Sequence, residues 1–327
     1  LVGSVDVMNR AFREIYKAVI LAIVVVYMTL AAQFESLSQP LIIMASLPFA
    51  VVGAILGLLV VGQTANMMSL IGFTMLLGLV TKNAILLVDY ANQQRETNIN
   101  TICKYANDAF SNGANIVVAP EMATDFYYVT ENDVRTYAGV RNIENELSAI
   151  ATTAKNNNGY ICVGFPEIAE DDTLYNSAVL FNKEGKVVLH ERKRCIPSWN
   201  SIGDLPYAVY DSEFGKLGIV ICADSFVNTH AMALKKLGVD IILSPVTWYP
   251  AQGHGDDDSI NAWKARAKEN AIWYVTCNRW GEEIKDGKVE NMNKGKSCVV
   301  SPQGEILFSY MAGENLADKT LYCEIKR

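Results

Sequence analysis

Leu217-Gly218-Ile219-Val220-Ile221-Cys222-Ala223-Asp224-Ser225-Phe226 is the stretch on which the reading of this chain turns. Lys216 to Cys222 is apolar, β-branched and of strand length, so it reads as a buried strand closed by a thiol. A polar turn leads from it into a helical stretch, Asn228 to Leu237, and on to a second strand, Asp240 to Ser244. Upstream, Ile102 to Ser111 is helical and passes through Gly113 into the strand Asn115-Ile116-Val117-Val118-Ala119, which ends in Pro120-Glu121. A longer helix carries Ile143, Leu147, Ile150 and Ala151 at spacings of three and four. Tyr160 to Gly164, Asn176 to Phe181 and Lys186 to Leu189 read as strands, the last two joined as a hairpin by Asn182-Lys183-Glu184-Gly185. Downstream, Trp263 to Asn270 is helical, Ile272 to Cys277 is a strand, and Pro302-Gln303-Gly304-Glu305 turns between two more. Strands that first alternate with helices and later pair as hairpins make an α/β chain with a mixed sheet.

Three side chains in this part can carry chemistry. Cys222, at a strand end facing a helix start, has the setting in which a thiol pKa falls and the sulfur becomes a nucleophile. Glu121 also ends a strand, and a carboxylate held near a thiol can serve as a general base. Lys193, in His190-Glu191-Arg192-Lys193-Arg194, follows a strand and can set a cation beside a developing oxyanion. Taken singly, each also reads as something ordinary: a packed cysteine, a loop carboxylate, a solvated lysine. Cys103, Cys162, Cys195, Cys277, Cys298 and Cys323 read as packing residues. Seven cysteines without paired short spacing form neither a disulfide framework nor a zinc motif, and they fit a reducing compartment.

The chain has 327 residues, 50% hydrophobic, and a net charge of −7. Those averages conceal two textures. Residues 1–97 hold 60 hydrophobic residues, ten charges that cancel and no cysteine, while residues 98–327 hold the other 53 charges and all seven cysteines. No Lys/Arg cluster is available to neutralise phosphates, so nucleic acid is not a partner. Disorder is excluded by the apolar content. Arg10, Arg13, Glu14 and Lys17 are unlike a signal peptide, and the N-terminus has the look of a longer protein's interior. Between Lys17 and Lys82 the only charge in 64 residues is Glu35. Residues 18–34, 41–61 and 67–90 are three apolar runs, each near the roughly 20 residues that cross a hydrocarbon core. Three membrane helices are the expectation; a buried bundle in a soluble protein would need more polar surface. Lys82 falls inside the third run, where an ammonium is costly and usually paired or part of an ion pathway. A lysine snorkelling from a shorter helix that starts near Asn83 is the other reading.

Ala31-Ala32-Gln33-Phe34-Glu35-Ser36, Ser46-Leu47-Pro48-Phe49-Ala50 and Gly78-Leu79-Val80-Thr81-Lys82-Asn83-Ala84-Ile85-Leu86 resemble the late transmembrane helices of resistance–nodulation–division efflux pumps. The resemblance covers residues 1–96 and implies that Lys82 belongs to a proton relay, whose partner helix is not in this sequence. Residues 98–327 resemble the nitrilase superfamily of carbon–nitrogen hydrolases. Glu121 after its strand and proline, Arg192-Lys193, and Gly218 to Asp224 match that family's Glu–Lys–Cys triad in order. Tyr175-Asn176-Ser177-Ala178, Phe214-Gly215-Lys216-Leu217-Gly218, Arg266-Ala267-Lys268-Glu269-Asn270 and Asn278-Arg279-Trp280-Gly281 add to the match. The resemblance implies a four-layer α-β-β-α sandwich that forms a homodimer, with no cofactor and no metal. In it Cys222 attacks an amide or nitrile carbon, Glu121 takes the thiol proton, and Lys193 stabilises the tetrahedral intermediate on the way to a thioester. Cys222-Ala223-Asp224 is closer to the amidase and carbamoylase branches than to true nitrilases, so a small amide is the expected substrate. Tyr127, Trp248 and Tyr249 are the candidate pocket-lining residues, although aromatics after strands commonly only pack. Two departures stand out. The family's first strand is replaced by Ala91-Asn92-Gln93-Gln94-Arg95-Glu96, and no second glutamate follows Lys193 in Cys195 to Ser201. The domain expectation is a membrane fragment, 1–96, and a carbon–nitrogen hydrolase domain, 97–327, the latter on the cytoplasmic side. The competing reading is a proton-coupled efflux fragment joined to a non-catalytic nitrilase-like module.

Overall fold

The computed structural model describes residues 13, 17, 20–21, 23–32, 37–45, 47–63, 67–195, 198–248, 258–285, 288–292, 295–311 and 322–325. By its internal contacts the chain divides into two units, Leu1–Ala91 and Asn92–Arg327.

The first unit is helical. It contains α1 (Ile23–Ala32), α2 (Ser38–Ala45), α3 (Leu47–Val61) and the start of α4 (Met67–Ser111). Among the described residues one stretch, Ile43–Val61, is long and apolar enough to cross a membrane; Ile23–Ala32 is apolar but shorter. Gly62, at φ +65°, closes α3, and the Gln63 N–H returns to the Leu58 carbonyl at 3.0 Å. Phe49, Leu59 and Val60 are 70–87% exposed, whereas Leu30 and Ile43 are buried together.

The helix expected over 67–90 and the separate one expected over Ile102 to Ser111 are a single helix, α4. No Gly or Pro occurs between Gly78 and Gly113, so nothing interrupts the ladder. Thr97 and Thr101 fold their hydroxyls back onto the Gln93 and Thr97 carbonyls at 2.7 Å each, which satisfies them without breaking the helix. Gly113, at φ +89°, ends it.

The second unit holds two large sheets. β1 (Ile116–Val118), β2 (Tyr160–Ile168), β3 (Leu174–Phe181) and β4 (Val187–Arg192) form one in that order, parallel between β1 and β2 and antiparallel after. Between β1 and β2 run the short turns α5 (Glu131–Asp133) and α6 (Ile143–Glu146), then α7 (Ser148–Asn156). The helix expected around Ile143 to Ala151 is thus divided at Leu147. β2 also runs past Gly164, where the strand expected from the sequence ends, and continues through Pro166. Among the described residues, that edge of β2 meets only the single bridge from Val140 beyond Cys162, so the N–H missing from Pro166 is not needed.

The other large sheet runs β12-β11-β8-β7-β6-β5: β5 (Tyr210–Ser212), β6 (Gly215–Ile219), β7 (Ile241–Val246), β8 (Trp273–Asn278), β11 (Lys296–Val300) and β12 (Ile306–Met311). β9 (Glu282–Lys285) and β10 (Lys288–Asn291) make a separate hairpin. β6, β7 and β8 are parallel, linked through α8 (Asn228–Lys236) and α9 (Asp258–Asn270). The strand pleat divides the core. Tyr160 and Cys162 of β2 pack with Leu217, Ile219, Ile241 and Leu243 of the other sheet. Their alternates Ile161, Val163 and Phe165 pack with Ala106 of α4 and Leu147, Ile150 and Ala154 around α7.

Candidate active site

Glu121, Lys193 and Cys222 lie just past the C-terminal ends of β1, β4 and β6, and at most 5% of each is exposed. The structure brings the first two into direct contact: Lys193 Nζ is 2.6 Å from Glu121 Oε1, across 72 residues of sequence. Asn176 Nδ2 donates to the same oxygen at 2.8 Å, and the Thr247 N–H donates to Oε2 at 2.9 Å. A fully buried carboxylate is thereby paired with a cation and held by two further donors, which offsets its desolvation. The Thr247 hydroxyl donates to the Glu121 carbonyl at 3.2 Å, so the end of β7 also grips the backbone. Cys222 donates its thiol proton to the Thr247 carbonyl at 3.6 Å and also interacts with the Glu121 carboxylate.

Unusual backbone lies at Cys222 and next to Glu121. Cys222 has φ +43° and Met122, next to Glu121, has φ +54°, a region that costs a non-glycine residue of order 1–3 kcal/mol and clusters at functional sites. Gly164 of β2 is needed where the Glu121 segment crosses it. A Cβ there would come within 2.8–2.9 Å of the Pro120 carbonyl, the Met122 nitrogen and the Glu121 Cα.

The expectation of a lowered thiol pKa is overturned. Burial pushes the Cys222 thiol well up and the Glu121 charge adds to this, with Lys193 opposing. Cys222 is therefore a neutral thiol at rest, and a thiolate can arise only by handing its proton to a neighbour. For Lys193, burial alone would lower the ammonium, but the Glu121 charge beside it outweighs this and keeps Lys193 protonated.

Of the remaining sequence candidates, Trp248 follows Thr247, is half-buried, and stacks obliquely on Phe226 with ring centroids 5.1 Å apart. Its backbone is clamped by Asn278, which accepts from the Trp248 N–H at 2.7 Å and donates to its carbonyl at 2.6 Å. Tyr127 is half-buried within electrostatic reach of Lys193, its N–H donating to Glu283 at 2.8 Å. Tyr249 lies outside the described residues. Lys82 is exposed on α4. Thr247 escaped the sequence reading, although it carries the signal that picked out Glu121 and Cys222, a polar residue directly after an apolar strand. Arg279 sat within a quoted motif without a role. It donates to the Met122 carbonyl at 2.8 Å and the Asp125 carbonyl at 2.6 Å, holding the loop after Glu121.

The profile of the carbon–nitrogen hydrolase family matches residues 84–327. The chain belongs to that family. This carbon–nitrogen hydrolase is 30% identical over 211 residues to a nitrilase of Pyrococcus abyssi, covering 62% of the chain and 75% of the relative. Its fold superposes on the amidase from Nesterenkonia sp. AN1, solved with acrylamide added to the active-site cysteine, with a TM-score of 0.58 and 19% identity over 67% of this chain and 84% of that one. The profile of the AcrB/AcrD/AcrF family matches residues 2–110, and the swarming motility protein SwrC of Bacillus subtilis is 41% identical over 86 residues. That stretch is 26% of the chain and 8% of SwrC. The hydrolase therefore carries a segment similar to a second family, and residues 84–110, matched by both profiles, all lie in α4.

Proposed function

We propose that the chain hydrolyses a small amide or carbamoyl compound, less readily a nitrile, through a thioester on Cys222. The observation that carries this reading is the 2.6 Å Lys193–Glu121 pair, buried beside a neutral thiol at the end of β6. Glu121 accepts the Cys222 proton as sulfur attacks the carbonyl carbon, and Lys193 stabilises the oxyanion of the tetrahedral intermediate. Collapse breaks the carbon–nitrogen bond, and the leaving ammonia or amine takes the proton from Glu121. Water then attacks the thioester, losing its proton to Glu121, and the acid leaves as the thiol re-forms. The raised Cys222 pKa favours this order, because the base is needed before the nucleophile exists. Cys222-Ala223-Asp224 and the likeness to the Nesterenkonia amidase favour an amide over a nitrile. Trp248 and Tyr127, both next to elements of the site, are the pocket walls of this reading, with Tyr249 following Trp248 in sequence.

The core division described above supports a four-layer α-β-β-α sandwich, which in this reading pairs as a homodimer. Residues 18–90 anchor the chain in a membrane as three helices, with the hydrolase on the cytoplasmic face. The efflux alternative has Lys82 as its relay residue. The discriminating measurement is ammonia release from a panel of small amides and carbamoyl compounds by the chain and by Cys222→Ala. Release that disappears in Cys222→Ala supports the proposal; no release from either, with both folded, overturns it in favour of a non-catalytic module.

A further inference from the structure

Three donor atoms of different chemistry meet next to the candidate active site, on elements the sequence does not bring together. Cys195 lies two residues past Lys193, Asp224 two residues past Cys222, and His230 in the first turn of α8. Cys195 Sγ is 3.4 Å from His230 Nε2, and one ligand atom of each residue lies within 4.8 Å of the others. Metal–sulfur and metal–nitrogen bonds of about 2.3 and 2.0 Å at a tetrahedral angle set sulfur and nitrogen about 3.5 Å apart. The Cys195–His230 separation is that edge.

We propose that Cys195 Sγ, an Asp224 carboxylate oxygen and His230 Nε2 form a site for a borderline-soft divalent cation of the Zn2+ type. Thiolate, carboxylate and imidazole together are a donor set that selects such an ion over Mg2+ or Ca2+. On binding, a sulfur–metal bond forms, the Cys195 proton leaves to solvent, and the two anionic ligands balance the dication. Water completes the tetrahedron.

The surroundings already orient the ligands. The Tyr207 hydroxyl is 2.6 Å from His230 Nδ1, so a ring that donates from Nδ1 to Tyr207 presents a bare Nε2 towards Cys195. The Arg194 guanidinium lies 4.1 Å over the Tyr207 ring and is paired with Glu191 at 2.9 Å, which fixes Tyr207 and leaves that cation engaged elsewhere. Asp224 accepts the N–H groups of Arg194 and Cys195 at 3.1 and 2.7 Å, and a carboxylate so held keeps lone pairs for a metal. Asp224 is buried, while Cys195 and His230 are half-buried, so the ion can reach the site from solvent.

The test is a Co2+ titration of the full chain carrying Cys222→Ala, which removes the neighbouring thiol from competition. One equivalent of Co2+ should raise a thiolate-to-metal charge-transfer band, and Zn2+ should bleach it. Cys195→Ser in that background should abolish the band, and His230→Gln should weaken Co2+ binding by at least about tenfold. Circular dichroism of each variant establishes that it is folded, and His230→Gln decides the matter if Cys195→Ser is not. No band, a band that survives Cys195→Ser on another thiol such as the exposed Cys323, or affinity unchanged in His230→Gln would each overturn the site.

Discussion

Apolar side chains are used in opposite ways by the two units. α3 presents Phe49, Leu56, Leu59 and Val60 outward, at 55–87% exposure, and the helix is apolar on every face. β2 and β3 include Glu167, Asn176 and Ser177 among their apolar residues, yet every one of their residues is buried. The difference follows from where each backbone finds its hydrogen bonds. A helix satisfies its own N–H and C=O groups and can be surrounded by hydrocarbon, whereas a strand needs neighbours that in turn bury it. One unit therefore leaves apolar side chains outside a backbone that already satisfies itself, and the other supplies its own interior, in which charged chemistry can be held.

Substitutions can break that comparison or sharpen it. The largest effect is expected inside the buried unit. Glu121→Gln removes the proton acceptor while keeping the size of the side chain, and should lower kcat for amide hydrolysis by about 10²–10⁴-fold. Activity within a few-fold of wild type would remove Glu121 from the mechanism. Next come matched truncations in the two units. Leu180→Ala, fully buried in β3, should cost the hydrolase unit about 2–5 kcal/mol in urea unfolding, whereas Leu56→Ala on α3, 55% exposed, should leave that transition where it is. Equal effects would mean that the apolar helices are part of the same core. Gly164→Ala should cost about 1–3 kcal/mol through overpacking and, because the added methyl meets the Glu121 segment, depress kcat as well. Loss of stability with kcat intact would show that the segment gives way without moving the carboxylate.

Last comes a pair of opposed pH dependences on β4 and β2, the two strands that flank β3. Burial lifts the Glu191 carboxyl to about 7, against the pull of Arg194, from 4.5 in the unfolded chain. The native state then binds more protons than the unfolded one between those values, so this group makes stability fall as pH rises from 4.5 to about 7. Burial would raise Glu167 too, but hydrogen bonds from His190 and Arg192 outweigh it and hold the carboxyl at about 2. Its stabilisation is complete above 4.5 and is lost as pH falls towards 2. Urea midpoints against pH should lose the first slope in Glu191→Gln and the second in Glu167→Gln; a slope that persists in its variant belongs to another group.

Much of this was legible in residue order because the signals were local. The strand-ending positions of Glu121, Lys193 and Cys222, and the alternation of strand and helix around them, follow from side-chain period and turn chemistry. Misreadings arose where the deciding partner was remote. α4 was divided because a change of composition near Thr97 resembled a boundary, although no helix breaker stands there. β2 continues beyond Gly164 and through Pro166 because the edge beside it lies open past the short β1. The Cys222 thiol was expected to be acidified by the helix after it, whereas its pKa is set by burial and by Glu121, 101 residues earlier in the sequence.

Sequence by itself determined that two unlike textures share this chain, that the second has the α/β pattern and motifs of the carbon–nitrogen hydrolases, and which three residues are the catalytic candidates. Those are properties of composition, short-range period and motif, and neighbouring residues are enough to express them. Only the tertiary structure decided that Lys193 meets Glu121, that Thr247 and Asn176 hold the carboxylate, and that Cys195, Asp224 and His230 converge beside them. Strand order and the crossing of loops bring together side chains far apart in the chain, and that pairing is settled by how the sheets bury one another.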